Sequence, residues 1–246
     1  QVLQDSAGPA RRAGGDGLKA RAANSLMHGP GLAGGRCGER MQFTVTAVDD
    51  FGQVDRSGMA RVSAIVNGLN LLSKTHPEPR PWVEDGGDGS YIVQYVCATP
   101  GPYDIMATVD GIPLPMCPVR IEVRPGLPSA FKTELGGEGL HHCKVGHAAS
   151  FTIYAQDEFG NACQEGGARF GVRALGQVQI LEVADNEDGT YSVSYMVPDY
   201  AYENILLEVL LDGMPVKGSP VAPRVPVREP EVALPIAEGD KQILEP

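Results

Sequence analysis

Residues 88–95 read DGSYIVQY and residues 188–195 read DGTYSVSY. A chain that writes nearly the same eight letters twice, about a hundred residues apart, is built from two copies of one unit. Other landmarks recur in the same order. Residues 43–52 (FTVTAVDDFG) are answered by residues 151–160 (FTIYAQDEFG). Gly31-Leu32 is answered by Gly139-Leu140, Gly38 by Gly146, and Val109-Asp110-Gly111 by Leu211-Asp212-Gly213.

Each landmark also alternates. Phe43, Val45 and Ala47 fall on one face, as do Phe151, Ile153 and Ala155. Tyr91, Val93 and Tyr95 repeat the pattern, matched by Tyr191, Val193 and Tyr195. Tyr103, Ile105, Ala107 and Val109 follow, answered by Ile205, Leu207, Val209 and Leu211. Strict alternation marks a strand with one buried face. Asp-Gly ahead of Ser or Thr makes a tight turn, because Gly accepts positive φ and Asp accepts from neighbouring amides. Short strands parted by turns, with about 100 residues per copy, describe a β-sandwich whose core lies between two sheets. Abundant glycine (31) and proline (20) fit such a turn-rich all-β chain.

Charge and cysteine use narrow the functional class. A net charge of −11 repels polyanions, which argues against nucleic acid and against anionic membrane surfaces. No apolar run reaches the ~18 residues of a membrane span. Cys37, Cys97, Cys117, Cys143 and Cys163 are odd in number and scattered, so they form no disulfide framework and suggest a reducing compartment. No N-x-[ST] sequon occurs. The chain opens on Gln1 without a signal-peptide pattern, and is expected to be a piece of something longer.

The ordered landmarks resemble the immunoglobulin-like repeat of filamins. Gly29-Pro30-Gly31-Leu32, Asp49-Asp50-Phe51-Gly52, Asp88-Gly89-Ser90-Tyr91 and Gly101-Pro102-Tyr103 carry the resemblance in the first copy. Asp157-Glu158-Phe159-Gly160, Asp188-Gly189-Thr190-Tyr191 and Gly218-Ser219-Pro220-Val221 carry it in the second. There are departures: Met116-Cys117-Pro118 stands for Gly-Ser-Pro, Gly136-Gly137-Glu138-Gly139 for Gly-Pro-Gly, and Tyr202-Glu203-Asn204 for Gly-x-Tyr. Antibody-type domains fit less well, since the B-like strands lack cysteine and Trp82 lies in a proline-rich stretch. The expected fold is therefore all-β: two tandem filamin-type sandwiches with extended tails. Residues 1–17 read as a linker, 18–124 as the first sandwich, 125–227 as the second, and 228–246 as a proline-rich tail.

Sites for chemistry are sparse. Gly29–Gly34 matches G-x-G-x-x-G, but no helical period follows and its repeat partner at residues 137–142 breaks the pattern, so a dinucleotide site is not expected. His141, His142, Cys143 and His147 lack the paired spacing of a zinc site and read as solvated polar residues. Residues 185–189 fail the calcium-loop spacing and read as a turn. No catalytic residues, cofactor or metal are expected, and the chain is not expected to be an enzyme.

What remains is protein binding. The resemblance implies a site at the groove between strands C and D, where a partner segment pairs with an exposed strand edge. Strand C is expected at Ala60, Arg61, Val62, Ser63, Ala64 and Ile65, and in the second copy at Ala168, Arg169, Phe170, Gly171, Val172 and Arg173. The competing reading is that both strands merely complete the fold. Arg169 and Arg173 either suit an acidic partner or discourage aggregation. Trp82, at the end of the His76–Trp82 stretch, is either an interface anchor or a cap on its own sandwich. The tail's Val232, Leu234 and Ile236 either pair with a neighbouring sheet or belong to a plain linker. The expected role is a structural scaffold module of a cytoskeletal protein, in the cytoplasm, with cytoskeletal or axonemal protein partners and no nucleic acid or membrane insertion. A ciliary axoneme, an actin-linked filamin relative and an extracellular adhesion domain are the competing settings.

Overall fold

The structure, a computed structural model, describes residues 19–69, 77–198 and 205–225. Among them the chain forms strands and two short 3-10 turns. The first repeat contains β1 (Leu26–His28), β2 (Gly35–Arg36), β3 (Met41–Thr46), β4 (Val62–Gly68), β5 (Trp82–Asp85), β6 (Ser90–Tyr95), β7 (Gly101–Val109), β8 (Ile112–Pro113) and β9 (Val119–Arg124). Sheet order is β1-β3-β6-β5 in one layer and β2-β9-β7-β4 in the other, with β8 folded back on β7.

The second repeat contains β10 (Glu134–Gly136), β11 (Ala148–Tyr154), β12 (Phe170–Leu175), β13 (Gln179–Asp185), β14 (Thr190–Met196), β15 (Leu206–Leu211) and β16 (Met214–Pro215). Its layers are β10-β11-β14-β13 and β12-β15-β16. Val221 bridges Leu207 and Arg224 runs parallel to His142, so the last strand of the first repeat survives here as isolated bridges.

The alternating residues fill the two cores. Phe43, Val45, Tyr91, Val93, Tyr95, Tyr103, Ile105 and Val109 are all buried, as are Phe151, Ile153, Tyr191, Val193, Tyr195, Leu207 and Val209. Burial of one large apolar side chain contributes about 1.5–3 kcal/mol, so these rows are the main stabilising term of each sandwich. Register follows from the pleat: Phe43 faces Val93 and Val45 faces Tyr91, while Phe151 faces Val193 and Ile153 faces Tyr191. A one-residue slip would turn every ring to solvent.

The repeated letters have local reasons. Asp88 Oδ1 accepts from Ser90 N at 3.0 Å, and Asp188 Oδ1 from Thr190 N at 2.9 Å, closing the turn into β6 and β14. Gly89 and Gly189 adopt positive φ, and a Cβ at either would meet the carbonyl oxygen of Asp55 or Cys163. The last tyrosine of the motif reaches the 3-10 turn of its own repeat. Tyr95 Oη donates to Gly31 O, and Tyr195 Oη to Gly139 O at 2.5 Å. Gly139 thus serves as Gly31 does, and Glu138 in place of Pro30 leaves the 3-10 turn intact. The Met116-Cys117-Pro118 departure is equally well accommodated. Ala107 N donates to Cys117 Sγ at 3.2 Å where Val209 N donates to Ser219 Oγ at 2.8 Å. Tyr103 Oη donates to Thr99 O four residues upstream at 2.7 Å, tying the start of β7 to its loop.

The connector between repeats is tightly held. Asp157, fully buried, accepts from Gly126 N at 2.9 Å and from Asn161 Nδ2 at 2.9 Å. Asn161 Nδ2 also donates to Ala98 O of the first repeat at 2.8 Å. Glu165 accepts from Arg36 at 2.5 Å and from Arg124 at 3.0 Å. Phe159 packs against the core cluster of the first repeat. The proline- and glycine-containing stretch 124–128 between the repeats is therefore a joint with defined contacts.

Several expectations shift. The expected C strands at residues 60–65 and 168–173 meet β4 and β12, which begin at Val62 and Phe170; Arg61 and Arg169 still make one backbone bond each to the partner strand's end. Arg61 O accepts from Asp110 N, and Arg169 O from Asp212 N. Trp82 opens β5 instead of ending a loop. His76, residues 1–17, Tyr202–Asn204 and the tail with Val232, Leu234 and Ile236 lie outside the described residues.

Candidate protein-interaction edges

Among the described residues β4 pairs only with β7 and β12 only with β15, while β5 and β13 each end the opposite layer. Each sandwich therefore has one side where two sheet edges meet without a strand between them. An unpaired edge presents backbone donors and acceptors to any extended segment that fits.

In the first repeat Val62 and Ala64 are half-buried against the core, joined across the opening by Val83 of β5. Ser63 and Ile65 point outward, and Ser63 Oγ lies 2.7 Å from Thr108 Oγ1. Ala60 and Arg61 precede the strand, with Arg61 N donating to Asp110 Oδ1 at 3.1 Å. Trp82 is 67% exposed, so it does not cap the sandwich. It borders an open cleft of about 710 Å³ with Arg40, Pro77, Pro79 and Arg80.

The second repeat has the richer opening. Phe170, Val172 and Ala174 of β12 and Ile180 and Val183 of β13 are all only partly buried. The Phe170 ring sits 4.5 Å from that of Tyr191, whose hydroxyl accepts from Ala168 N at 2.9 Å. On the outer face nothing lies within 4 Å of where a Gly171 Cβ would stand. Arg169 pairs with Asp212 at 2.9 Å and Arg173 with Glu208 at 3.0 Å, so both charges are already matched within the sandwich. β13 carries a register shift between Ile180 and Glu182, and Leu181 is 44% exposed there. That irregularity breaks the period-two signal, which is why the lower half of this opening escaped sequence reading.

The other sequence candidates hold no assembled chemistry. Among the described residues no group of three or more His, Cys, Asp or Glu is placed to hold a metal. Cys143 is buried with its thiol toward Arg224 O, while His141, His142 and His147 are exposed. Gly29–Gly34 forms a 3-10 turn that leads into β2, with no helix after it. Residues 185–189 form a turn in which Asp185 Oδ1 accepts from Glu187 N.

The sequence profile of the Filamin/ABP280 repeat matches residues 19–120 and again residues 128–222. The chain belongs to the filamin-repeat family. Filamin-C of Mus musculus is 32% identical over 198 residues, which is 78% of this chain and 6% of that protein. Tripartite motif-containing protein 3 of Mus musculus is 35% identical over 95 residues, 37% of this chain and 12% of that protein. The chain thus spans a small fraction of the curated relatives it matches. Among solved structures, the Escherichia coli adhesin FdeC superposes with a TM-score of 0.59 at 17% identity, over 84% of this chain and 65% of that one. Invasin, a bacterial integrin-binding protein, superposes with a TM-score of 0.52 at 13% identity, over 84% and 41%. At such identities these two share the fold alone. The filamin repeat is a non-catalytic structural and interaction module, and β4 and β12 are this chain's C strands.

Proposed function

We propose that this filamin-repeat pair is a scaffold module of a larger cytoskeletal protein, and that a partner segment adds as a strand to the open side of the second repeat. One observation carries the reading. Among the described residues Phe170–Leu175 pairs on one side only, and Phe170, Val172, Ala174, Ile180 and Val183 stand partly buried beside its other side. An extended segment laid there gains backbone hydrogen bonds from β12 and buries alternate apolar side chains on that stripe. Among the described residues the first repeat offers the smaller set Ala60, Val62, Ala64 and Val83 in the same place, so the second repeat is the principal site. The likeness to Filamin-C supports a cytoskeletal setting. An axonemal setting has no support among these relatives and is not carried forward.

The reading is tested by affinity capture with the 246-residue chain and two variants, Val172→Asp and its first-repeat counterpart Ala64→Asp, with thermal unfolding checked for each. Partners bound by the wild type are expected to be lost with Val172→Asp and kept with Ala64→Asp. Capture that is indifferent to Val172→Asp refutes it.

A further inference from the structure

Phe51 and Phe159 hold the same place in the same turn, and their surroundings are opposite. Asp49 Oδ1 accepts from Phe51 N and Gln53 N, as Asp157 Oδ1 accepts from Phe159 N and Asn161 N. Phe159 packs on the core cluster of the first repeat. Its ring and the Glu158 carboxylate lie over Gly38, where a Cβ would come within 3.2 Å of the ring and 2.4 Å of the carboxylate. Phe51, at the far end of the first repeat, is 72% exposed, and Val54 beside it is 41% exposed.

The receiving half of the joint also recurs. Gly38 N donates to Cys97 O at 3.0 Å, and Gly146 N donates to Val197 O at 2.8 Å. Gly146 is thus the counterpart of Gly38 on the second repeat. Nothing lies within 4 Å of where its Cβ would be. Among the described residues there is therefore one filled joint, one exposed projecting turn and one open seat, with the last two at opposite ends of the pair.

We propose that the joint between the repeats is reused between molecules: the Phe51 turn of one copy seats on the Gly146 end of a second copy. Such a contact is heterologous, so it leaves a free turn and a free seat at the two ends and propagates head to tail. Gln53 replaces Asn161 and keeps an amide to offer the carbonyl that corresponds to Ala98 O. Asp50 replaces Glu158, bearing its charge 3.0 Å from Arg21. Lys144, two residues before Gly146, is exposed, and its charge favours an acidic turn.

One contact of the internal joint has no counterpart. Cys37 N donates to Arg124 O and Cys143 N to Arg224 O, so His142 and Arg224 stand where Arg36 and Arg124 stand. Glu165, which clamps both arginines, is replaced by Ser57. The joint between copies lacks this clamp, and it also lacks the connector that raises the local concentration of the internal one. It therefore forms only at high protein concentration.

Sedimentation velocity on the 246-residue chain over a concentration series tests this. Reversible growth in mean mass is expected for the wild type. Phe51→Ser and Gly146→Asn, the latter able to adopt the left-handed backbone, each remain monomeric alone. Mixed, they form a one-to-one complex and nothing larger, because one supplies the seat and the other the turn. Ser57→Glu moves assembly to lower concentration. A wild type that stays monomeric throughout, growth that survives Phe51→Ser, or a mixture that does not pair overturns the proposal. Thermal unfolding of each variant separates a lost joint from a lost fold.

Discussion

Glu165 of the second repeat grips Arg36 of the first, with Oε2 2.5 Å from Nη2, and holds Arg124 with its other oxygen at 3.0 Å. The Arg36 hydrogen bond, with the charge of Arg36 beside it, holds the Glu165 carboxyl below its ordinary value. A depressed carboxylate contributes above its ordinary range and loses its contribution as pH falls through the lowered value. The orientation of the two repeats is therefore expected to loosen in acid, at high salt, or with Glu165→Gln, while each repeat stays folded. Small-angle scattering and residual dipolar couplings read the orientation, and circular dichroism reads the fold.

Cys117 and Ser219 accept equivalent strand amides, so the two repeats should exchange these residues freely. Cys117→Ser is expected to leave stability nearly unchanged. Ser219→Ala strands Val209 N and is expected to cost about 1–3 kcal/mol. Urea unfolding of the two variants checks the order.

The tyrosine that closes each DG[ST]Y strand ties that strand to the 3-10 turn of its repeat. Tyr195→Phe removes the donor to Gly139 O in a buried setting and is expected to cost about 1–3 kcal/mol. Tyr95→Phe should behave alike in the first repeat, since Tyr95 Oη serves Gly31 O in the same way. Paired unfolding curves for these two variants test whether the motif has one role in both copies.

Four of the five thiols are buried. Burial, reinforced by the neighbouring Asp157 charge, pushes Cys37 up to about 12 and Cys163 up to about 11. Burial likewise pushes Cys97 up to about 12. The folded chain keeps these protons where an unfolded one releases them near 9.0, so folding is favoured fully below about 9 and less as pH rises toward about 12. Urea midpoints are expected to fall over that window. Thiol reagents at neutral pH are expected to leave Cys37, Cys97, Cys143 and Cys163 unlabelled until the chain unfolds.

Much of this was legible from letters alone, and for a physical reason. Period-two burial is dictated by the pleat, so Tyr91, Val93 and Tyr95 declare a core face in any context. Turn chemistry is equally local: Asp88 and Asp188 bond amides two residues on. The edges of β4 and β12 read two residues early because the alternation continues through Arg61 and Arg169, whose carbonyls still bond the partner strand's end. The apolar stripe on β13 was hidden by its register shift. The joint was hidden for another reason. Phe51 and Phe159 carry the same local signal, and only the other repeat tells them apart. Contacts between modules leave no mark in the periodicity of either.

A connector spelled Pro125-Gly126-Leu127-Pro128 looks like an invitation to proteolysis. Gly126 is buried, its amide is held by Asp157, and a Cβ there would sit 2.8 Å from Cys37 O. A protease must draw an extended stretch of chain into its cleft, and this one does not yield it while the joint is closed. Limited digestion should release the two repeats as one fragment, and a cut between them would report that the joint had already opened.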